Sequence, residues 1–242
     1  MYQKENKKAV RQGIKDIWWN AYMVQGATFT PGSDIPLCPT TAKSLPAMII
    51  TYSEAKAIFN RELRRGNKDF IHMAYVCFYE DDKFDGPTGI WFKSIQAYGV
   101  LSHFAGIITP DFSTNQDFPV PLKVWNTYRM RAFGYWYGTL CKHEVINNVR
   151  WGTEETYRYC FDGIPKNSIV AIGTVGGSPR KLVDRDRFES GLAEMVKRLS
   201  PHTVVVYGSA NYRCFDQLKC QGIKIAPYPG RMSLSFERRK AI

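Results

Sequence analysis

The stretch from His202 to Tyr228 reads HTVVVYGSANYRCFDQLKCQGIKIAPY and contains a complete β-α-β unit. Two apolar runs, TVVVYG (203–208) and IKIAPY (223–228), flank NYRCFDQLKCQ (211–221), which has a helical pattern and ends at Gly222. Two strands joined through a helix lie parallel, because the crossover is almost always right-handed. The stretch therefore predicts two parallel strands of one sheet, with the helix packed on a face of that sheet.

The same alternation of short apolar runs and helical patterns extends upstream. Five further predicted strands are AMIITY (47–52), IHMAYVCFY (71–79), AGIITP (105–110), VINNVRW (145–151) and SIVAIGTV (168–175). The further predicted helices are SEAKAIFNRELRR (53–65), VWNTYRMRAFGYWYGTL (124–140), TEETYRYCF (153–161) and RDRFESGLAEMVKRL (185–199). Several of the strands lack strict polar–apolar alternation, which is typical of parallel strands that are covered on both faces.

Capping residues indicate where three of these helices begin. Ser53 is expected to cap the first helix, and Thr153 is expected to cap TEETYRYCF. Asp186 followed by Glu189 resembles a capping box at the start of the helix over 185–199.

Seven β/α steps in 242 residues fit two architectures, a (β/α) barrel and an open doubly wound sheet. A full eight-stranded barrel typically takes about 250 residues. We therefore expect an α/β fold with a mainly parallel sheet, barrel-like and complete or incomplete, in preference to the open doubly wound sheet. An eighth strand is conceivable in DIWWNAYMVQG (16–26).

The chain is expected to form a single α/β domain over 1–242. Residues 1–46 would be a basic N-terminal helix and loop extension, 47–228 the β/α core, and 229–242 a basic C-terminal tail. No stretch resembles a linker between domains, and no internal sequence repeat is visible.

The charge balance favours an anionic partner. There are 33 Lys and Arg against 22 Asp and Glu, which gives a formal net charge of +11. A cationic surface of this size attracts polyanions, so nucleic acid is the expected partner. No apolar run approaches the roughly 20 residues that span a bilayer, and the basic N-terminus lacks the apolar segment of a signal peptide. We expect a cytoplasmic protein without a membrane partner.

The six cysteines are scattered and form no CxxC pair. They are therefore expected to be reduced and mostly buried thiols. The histidines and cysteines show no spacing typical of a zinc site, and the GxSxG nucleophile motif is absent.

Polar residues follow the predicted strands at the end where ligands of parallel sheets bind. Asp111, in ITPDFS after the third strand, is a candidate general base or nucleophile, and Glu80 is a second candidate catalytic carboxylate. Asp111 could equally be a turn or helix-capping residue. Glu80, Asp81 and Asp82 could bind a divalent metal together with Asp111, or could be solvated loop carboxylates. We assign no metal site, and the cofactor is unknown.

The fourth strand delivers Asn148, Arg150 and Trp151 to the same end. A guanidinium can bind phosphate through two nitrogens, and an indole can stack on a base. Alternatively, Arg150 pairs with Glu154 or Glu155 and Trp151 belongs to the core. After the fifth strand, GTVGGSPRK (173–181) could cradle a phosphate or be an ordinary turn. The residues that we predict to bind nucleic acid or phosphate are Asn148, Arg150, Trp151, Thr174, Gly176, Gly177, Arg180, Lys181, Tyr207 and Arg231.

The helix over 124–140 is both aromatic and basic, with Trp125, Arg129, Arg131 and Trp136 among its residues. It could be a nucleic-acid surface. Alternatively, its aromatic side chains are core and only its arginines face outward.

Five motifs resemble the domain-of-unknown-function family 4417, which occurs in bacterial and phage proteins. They are PDFS (110–113), WNTYRMRAFGYW (125–136), NVRWGTEETY (148–157), FDGIPKNSIVAIGTVG (161–176) and VVVYG (204–208). The resemblance covers roughly Ala47 to Tyr228. It implies a setting in phages, prophages and mobile elements, and it carries no activity.

Three functions remain open at this point. The first is a nucleic-acid-associated protein of a phage or mobile element that binds DNA, RNA or a nucleotide phosphate at a basic strand-end pocket and processes a nucleotide, base or phosphodiester. The second is a non-enzymatic DNA-binding accessory factor for phage replication, site-specific recombination or regulation. The third is a phage protein that binds a host or phage protein.

Overall fold

A computed structural model describes residues 18–175 and 182–230, together with the backbone of Tyr2–Gln3. Its centre is a sheet of seven parallel strands that lie side by side in chain order. The strands are β1 (Met48–Thr51), β2 (His72–Cys77), β3 (Phe104–Ile108), β4 (Glu144–Asn148), β5 (Ile169–Gly173), β6 (Thr203–Tyr207) and β7 (Lys224–Tyr228). Each of the seven strands lies inside its predicted run or begins one residue before it, because hydrophobic runs separated by helices specify this topology.

Six α-helices accompany these strands in the described ranges. They are α1 (Tyr52–Arg64), α2 (Ser94–Leu101), α3 (Val120–Tyr135), α4 (Tyr157–Cys160), α5 (Leu182–Leu199) and α6 (Arg213–Cys220). A π-helix, Trp136–Leu140, continues α3, and 3₁₀ turns span Ala21–Val24, Asp82–Phe84 and Glu154–Thr156. Tyr2–Gln3 pairs antiparallel with Thr28–Phe29.

The seven-stranded sheet curls into an incomplete barrel. Buried side chains from every strand meet in one inner cluster, and the Tyr79 ring after β2 stacks on Tyr207 of β6 with centroids 5.5 Å apart. Within the described ranges no strand pairing joins β1 to β7. The Tyr228 hydroxyl instead donates to the Pro46 carbonyl across this gap, at 2.6 Å. The expectation of a barrel-like parallel sheet, in preference to an open doubly wound sheet, is confirmed, and the barrel is incomplete.

The helices cover the outside of the barrel in two further apolar clusters. One lies mainly over β1–β4 and includes Trp91, Phe133 and Tyr137, and the other lies over β5–β7 and includes Met195 and Phe215. Burying a large apolar side chain contributes roughly 1.5–3 kcal/mol relative to leaving it exposed. These clusters hold the strands, and hence the loops at their ends, in fixed positions.

The segment before β1 does not supply an eighth strand. Residues 18–26 contain the 3₁₀ turn, whose Met23 and Val24 pack in the outer cluster over β1–β4; Asp16 and Ile17 lie outside the described residues. The prediction of a strand there was wrong, because these apolar side chains pack with the helices outside the barrel and not within the sheet. Further along, Ala42 and Leu45 pack against the inner cluster.

Two predicted helix starts differ from the structure. Thr51, not Ser53, caps α1: its hydroxyl accepts from the Glu54 amide at 3.3 Å, and Glu54 accepts from the Thr51 amide at 2.9 Å. Helix α5 begins at Leu182, so Asp186 and Glu189 lie inside it rather than at its cap. Thr153 does precede the turn Glu154–Thr156, although its side chain makes no capping hydrogen bond.

No helix in the described ranges is long and apolar enough to cross a bilayer. All six cysteines are free, and Cys38, Cys77, Cys160 and Cys214 are buried. The prediction of mostly buried thiols is therefore confirmed.

Candidate functional site

A cleft of about 740 Å³ opens at the carboxyl ends of β2 to β5. Its wall, which defines what we call the cleft, comes from residues within 79–82, 111–116, 148–153, 172–175 and 184–188. This is the end of a barrel at which loops deliver functional side chains, and the volume is typical of a site for a small ligand.

Four polar side chains form a connected network at the floor of the cleft. The Tyr79 hydroxyl donates to Asn148 Oδ1 at 2.8 Å, and Asn148 Nδ2 donates to Asp111 Oδ1 at 2.8 Å. Arg150 Nη1 then donates to the other Asp111 oxygen, Oδ2, at 2.6 Å. The structure thus brings Asp111, predicted from one strand end, together with Asn148 and Arg150, predicted from the next, 37 and 39 residues further along the chain.

Asn148 is the last residue of β4, and its main chain is held from both sides. Its amide donates to the Thr109 hydroxyl at 2.8 Å, and its carbonyl accepts from Arg131 Nη1 at 2.9 Å. Because Asn148 is almost fully buried, its side-chain amide has a fixed orientation toward Tyr79 and Asp111.

The Tyr79 side chain forms the bottom of the cleft. Its ring stacks on Tyr207 and lies against Gly173, where an added Cβ would come within 2.7 Å of Tyr79 Cδ1. Burial raises the pKa of Tyr79 well above its ordinary value, and the nearby Asp111 carboxylate raises it further. The phenol is therefore neutral at physiological pH and serves as a hydrogen-bond donor.

Asp111 is buried, whereas 35% of the Arg150 side chain is exposed. Arg150 Nη2 and Nε make no hydrogen bond to a described residue, so this guanidinium can still donate to a ligand. Both Asp111 oxygens accept hydrogen bonds. Each oxygen has a second lone pair beyond these two hydrogen bonds. The considered pairing of Arg150 with Glu154 or Glu155 is not what forms, and Glu155 pairs with Lys123 at 3.0 Å.

The acidic residues after β2 have separate partners. Glu80 accepts from the Ser53 amide at the start of α1, at 3.0 Å, and Asp82 accepts from the Ser113 hydroxyl at 2.9 Å. Asp81 is exposed and lies 3.6 Å from Lys83. Within the described residues no three His, Cys, Asp or Glu side chains group closely enough to share an ion. Glu80, Asp81, Asp82 and Asp111 are therefore not gathered as the metal hypothesis required.

Trp151 has a packing role and also lines the cleft. Its ring lies 5.4 Å from Phe188 of α5, and a Cβ added at Gly191 would come within 2.1 Å of Trp151 Cδ1. The indole is half-buried, so part of it remains available to a ligand.

The remaining predicted phosphate-binding residues divide into two groups. Thr174 and Tyr207 are buried beneath the cleft, where the Thr174 hydroxyl donates to the Ser209 carbonyl at 2.8 Å. The other five lie outside the described residues: Gly176, Gly177, Arg180, Lys181 and Arg231.

Several cleft residues are not predicted as site residues from the sequence, among them three polar or charged side chains on α5 or after β3. Asp184 and Arg187 belong to the first turns of α5, and Gln116 follows β3. Arg187 Nη1 donates to Gln116 Oε1 at 2.9 Å. Arg187 lies within the predicted helix over 185–199, but the misplaced helix start hid its position near the strand ends.

The described wall of the cleft is more acidic than the expected basic pocket. It carries five carboxylates and two guanidiniums, namely Glu80, Asp81, Asp82, Asp111 and Asp184 against Arg150 and Arg187. A ligand here would meet both hydrogen-bond acceptors and cationic donors.

The cations of α3 do not face outward, contrary to one of the alternatives considered. Arg129 forms a two-point ion pair with Asp85 at 2.7 and 2.8 Å and lies 3.9 Å from the Phe112 ring centroid. Arg131 is fully buried, and besides Asn148 it donates to the carbonyls of Asp162 and Cys160 at 3.1 and 3.3 Å. Burial lowers the pKa of Arg131 to about 10. These guanidiniums hold loops together instead of forming a nucleic-acid surface.

Fold and cleft together define an incomplete (β/α) barrel with a polar cleft at the carboxyl ends of its strands. The model of a family described as a domain of unknown function (DUF4417) matches residues 32–229, and the chain belongs to that family.

Two phage proteins are similar to this chain. The Gene 1 protein of Mycobacterium phage D29 is 35% identical over 185 residues, which cover 76% of this chain and 63% of that protein. The Gene 1 protein of Mycobacterium phage L5 is 34% identical over 158 residues, which cover 65% of this chain and 64% of that protein. The chain thus spans less than two-thirds of the length of these relatives. No solved structure matches the chain significantly.

Proposed function

We propose that the chain is a nucleic-acid-associated protein of the phage type that binds a nucleotide phosphate, free or within DNA or RNA, beside Arg150 in the cleft. One observation carries this proposal: Arg150 lies in the cleft, held by Asp111 through one nitrogen, with its remaining nitrogens unbonded to described residues. Such a function would be exercised in the cytoplasm of a bacterial host cell.

The surroundings of Arg150 support a nucleotide in particular. A guanidinium makes strong, charge-assisted hydrogen bonds to phosphate, and Arg187 supplies a second cation in the same cleft. Trp151 and Phe188 give one wall an aromatic surface on which a base can stack. The net charge of +11 favours association with polyanions.

The proposal extends to catalysis through Asp111. Phosphate binding at Arg150 would weaken the Arg150–Asp111 pair, since the guanidinium would then share its charge with the ligand. A released Asp111 oxygen could accept a proton from an attacking hydroxyl or water. Asp111→Asn would then abolish turnover and leave nucleotide binding largely intact, and equal turnover by this variant would remove Asp111 from the chemistry. Glu80, which binds the Ser53 amide, would orient this end of β2.

Binding is tested with fluorescent oligonucleotides by anisotropy over a range of salt concentrations, comparing Arg150→Gln with Arg198→Gln. Arg198 is a matched control, because it is 39% exposed, forms a 2.7 Å ion pair with Glu194 and lies outside the cleft. Losing a charge-assisted contact of roughly 1.5–3 kcal/mol should weaken binding about tenfold or more in Arg150→Gln. Equal affinities for the two variants would contradict the proposal.

A non-enzymatic DNA-binding factor is the second candidate, favoured by the basic end of α1. Arg61, Arg64, Arg65 and Lys68 are exposed there, at the end of the barrel opposite the cleft. Binding through this surface would fall steeply with salt. It would be lost on replacing these residues by Glu and retained in Arg150→Gln, which separates the two candidates.

A further inference from the structure

We infer that the ligand of the cleft is a terminal nucleoside phosphate, either a free nucleotide or the end of a strand, and that the cleft rejects the interior of a continuous strand. This inference rests on the proposed function and specifies which part of a nucleic acid the cleft admits. Three features of the described residues support it: a bridge across the cleft, a closed floor and the charge of the wall.

The bridge joins two segments on either side of β4. Gln116, between β3 and α3, is held through its carbonyl by Lys123 Nζ at 2.9 Å and through its side chain by Arg187 Nη1 of α5 at 2.9 Å. In the sheet, β4 lies between β3 and β5, so this contact spans the carboxyl end of β4. A strand with no free end would have to break the bridge to enter, whereas an end can enter beside it.

The floor leaves no exit on the far side. Tyr79 stacks on Tyr207, and Gly173 lies so close to the Tyr79 ring that no Cβ fits between them. The polar network of Asn148 and Asp111 sits directly on this aromatic floor. A chain that entered the cleft would therefore have to leave by the same opening.

The wall accepts one phosphate more readily than a series of phosphates. Arg150 and Arg187 are the described cations of the wall, and the same wall also carries the carboxylates of Glu80, Asp81, Asp82 and Asp184. Successive phosphates of a strand interior would be brought against these like charges. The sugar hydroxyls and base amines of a single nucleotide could instead donate to them.

Three probes test this inference: thymidine 5′-monophosphate, a linear 5′-phosphorylated 20-nucleotide oligothymidylate with an internal fluorophore, and the same oligonucleotide ligated into a circle. Anisotropy measures each oligonucleotide with the unmodified protein and with Arg150→Gln, so that contacts made elsewhere on the basic surface cancel. Thymidine 5′-monophosphate is added as a competitor. Displacement of the linear probe indicates that a free nucleotide is a sufficient ligand, whereas failure to displace it indicates that the cleft requires a strand end.

The linear probe should bind at least tenfold more tightly than the circle, and Arg150→Gln should remove this difference. Gln116→Ala removes the side-chain hydrogen bond to Arg187. It should reduce the affinity difference between the linear and the circular probe, because the circle can then enter the cleft. If the linear and the circular probe bound with equal affinity and both lost affinity in Arg150→Gln, the inference would be overturned and the proposed function would stand. The absence of Arg150-dependent binding by every probe at low salt would overturn both.

Discussion

Asp111 and Arg150 form a 2.6 Å ion pair although they are 39 residues apart in the chain. The pair links the loop after β3 to the loop after β4, and it places a partly exposed guanidinium above a buried carboxylate. Its geometry determines both what the cleft can bind and how these two loops are held together.

Removing either member of this pair should lower the free energy of unfolding by about 1–2 kcal/mol. A hydrogen bond between charged groups typically contributes roughly 1.5–3 kcal/mol, and the exposure of Arg150 reduces that value through solvent screening. Urea unfolding of Asp111→Asn and Arg150→Gln measures the change. Arg198→Gln is the control, because its pair with Glu194 is an i,i+4 contact on one helix, typically worth about 0.5 kcal/mol or less. Unfolding midpoints that match the unmodified protein for both cleft variants would contradict this expectation.

Gly191→Ala should destabilise the protein by about 1–3 kcal/mol, the usual cost of overpacking. The new Cβ would lie 2.1 Å from Trp151 Cδ1, so the indole must move away from α5 and change the cleft wall. Thermal unfolding gives the stability change, and anisotropy with the linear probe gives the effect on binding.

Gly99→Ala provides the comparison for that variant. Gly99 lies in α2, and its added Cβ meets nothing within 4 Å. A helical alanine is favoured over glycine by about 1 kcal/mol, so this variant should be neutral or more stable. If Gly191→Ala proved as stable in thermal unfolding as Gly99→Ala, the expectation would be contradicted, because Trp151 could then move away from α5 without loss of stability.

Acidification should destabilise the protein through His143. Burial lowers the pKa of His143 below 6.5, and its ring stacks on Tyr137 and contacts the Tyr98 hydroxyl. A lowered pKa means that the unfolded state takes up the proton first. The stabilising contribution is therefore complete above pH 6.5 and is lost as the pH falls through the lower, folded-state pKa. The free energy of unfolding, measured at several pH values, should fall less steeply in His143→Gln over this window, and an unchanged slope would exclude His143 as the cause.

A thiol reagent should label native protein first at Cys220, the exposed cysteine. Burial raises the pKa of Cys38 and of Cys160 to about 12, so these thiols are protonated as well as inaccessible. Mass spectrometry after brief labelling should find one modified site, and Cys220→Ser should remove it. Rapid modification of Cys38 or Cys160 in the folded protein would contradict the burial of these two side chains.

The sequence was sufficient to predict all seven strands and their parallel order. Runs such as TVVVYG are short, apolar and separated by helical segments, and the handedness of crossovers then leaves little choice of topology. The positions of Asp111, Asn148 and Arg150 at one edge followed from that topology alone, because carboxyl ends of parallel strands converge.

Side-chain partners were beyond what the sequence could specify. Proximity in the chain favours Glu154 or Glu155 as the partner of Arg150, but the barrel brings Asp111, 39 residues away, into contact with it. Similarly, nothing in the run Arg129–Arg131 distinguishes solvated guanidiniums from buried ones, since burial depends on whether Asp85 and the loop carbonyls lie opposite. These contacts join distant segments and exist only after folding.

Helix α2 was missed for a different reason. Its sequence, SIQAYGVL, contains a glycine and has no side-chain cap, so neither propensity nor boundary signals mark it. Its burial of Ala97 and Leu101 against the barrel supplies the stability that the local sequence lacks.

The hydrogen bond from Tyr228 to Pro46 connects the two edges of the sheet. It makes the entrance to β1 and the exit from β7 neighbours in space, although they lie 182 residues apart in the chain. A chain that ended before β7 would lose this contact and would leave β6 as an unpaired edge strand. Because an unpaired edge is a template for pairing with another chain, the last strand protects the barrel against association during synthesis as well as extending its sheet.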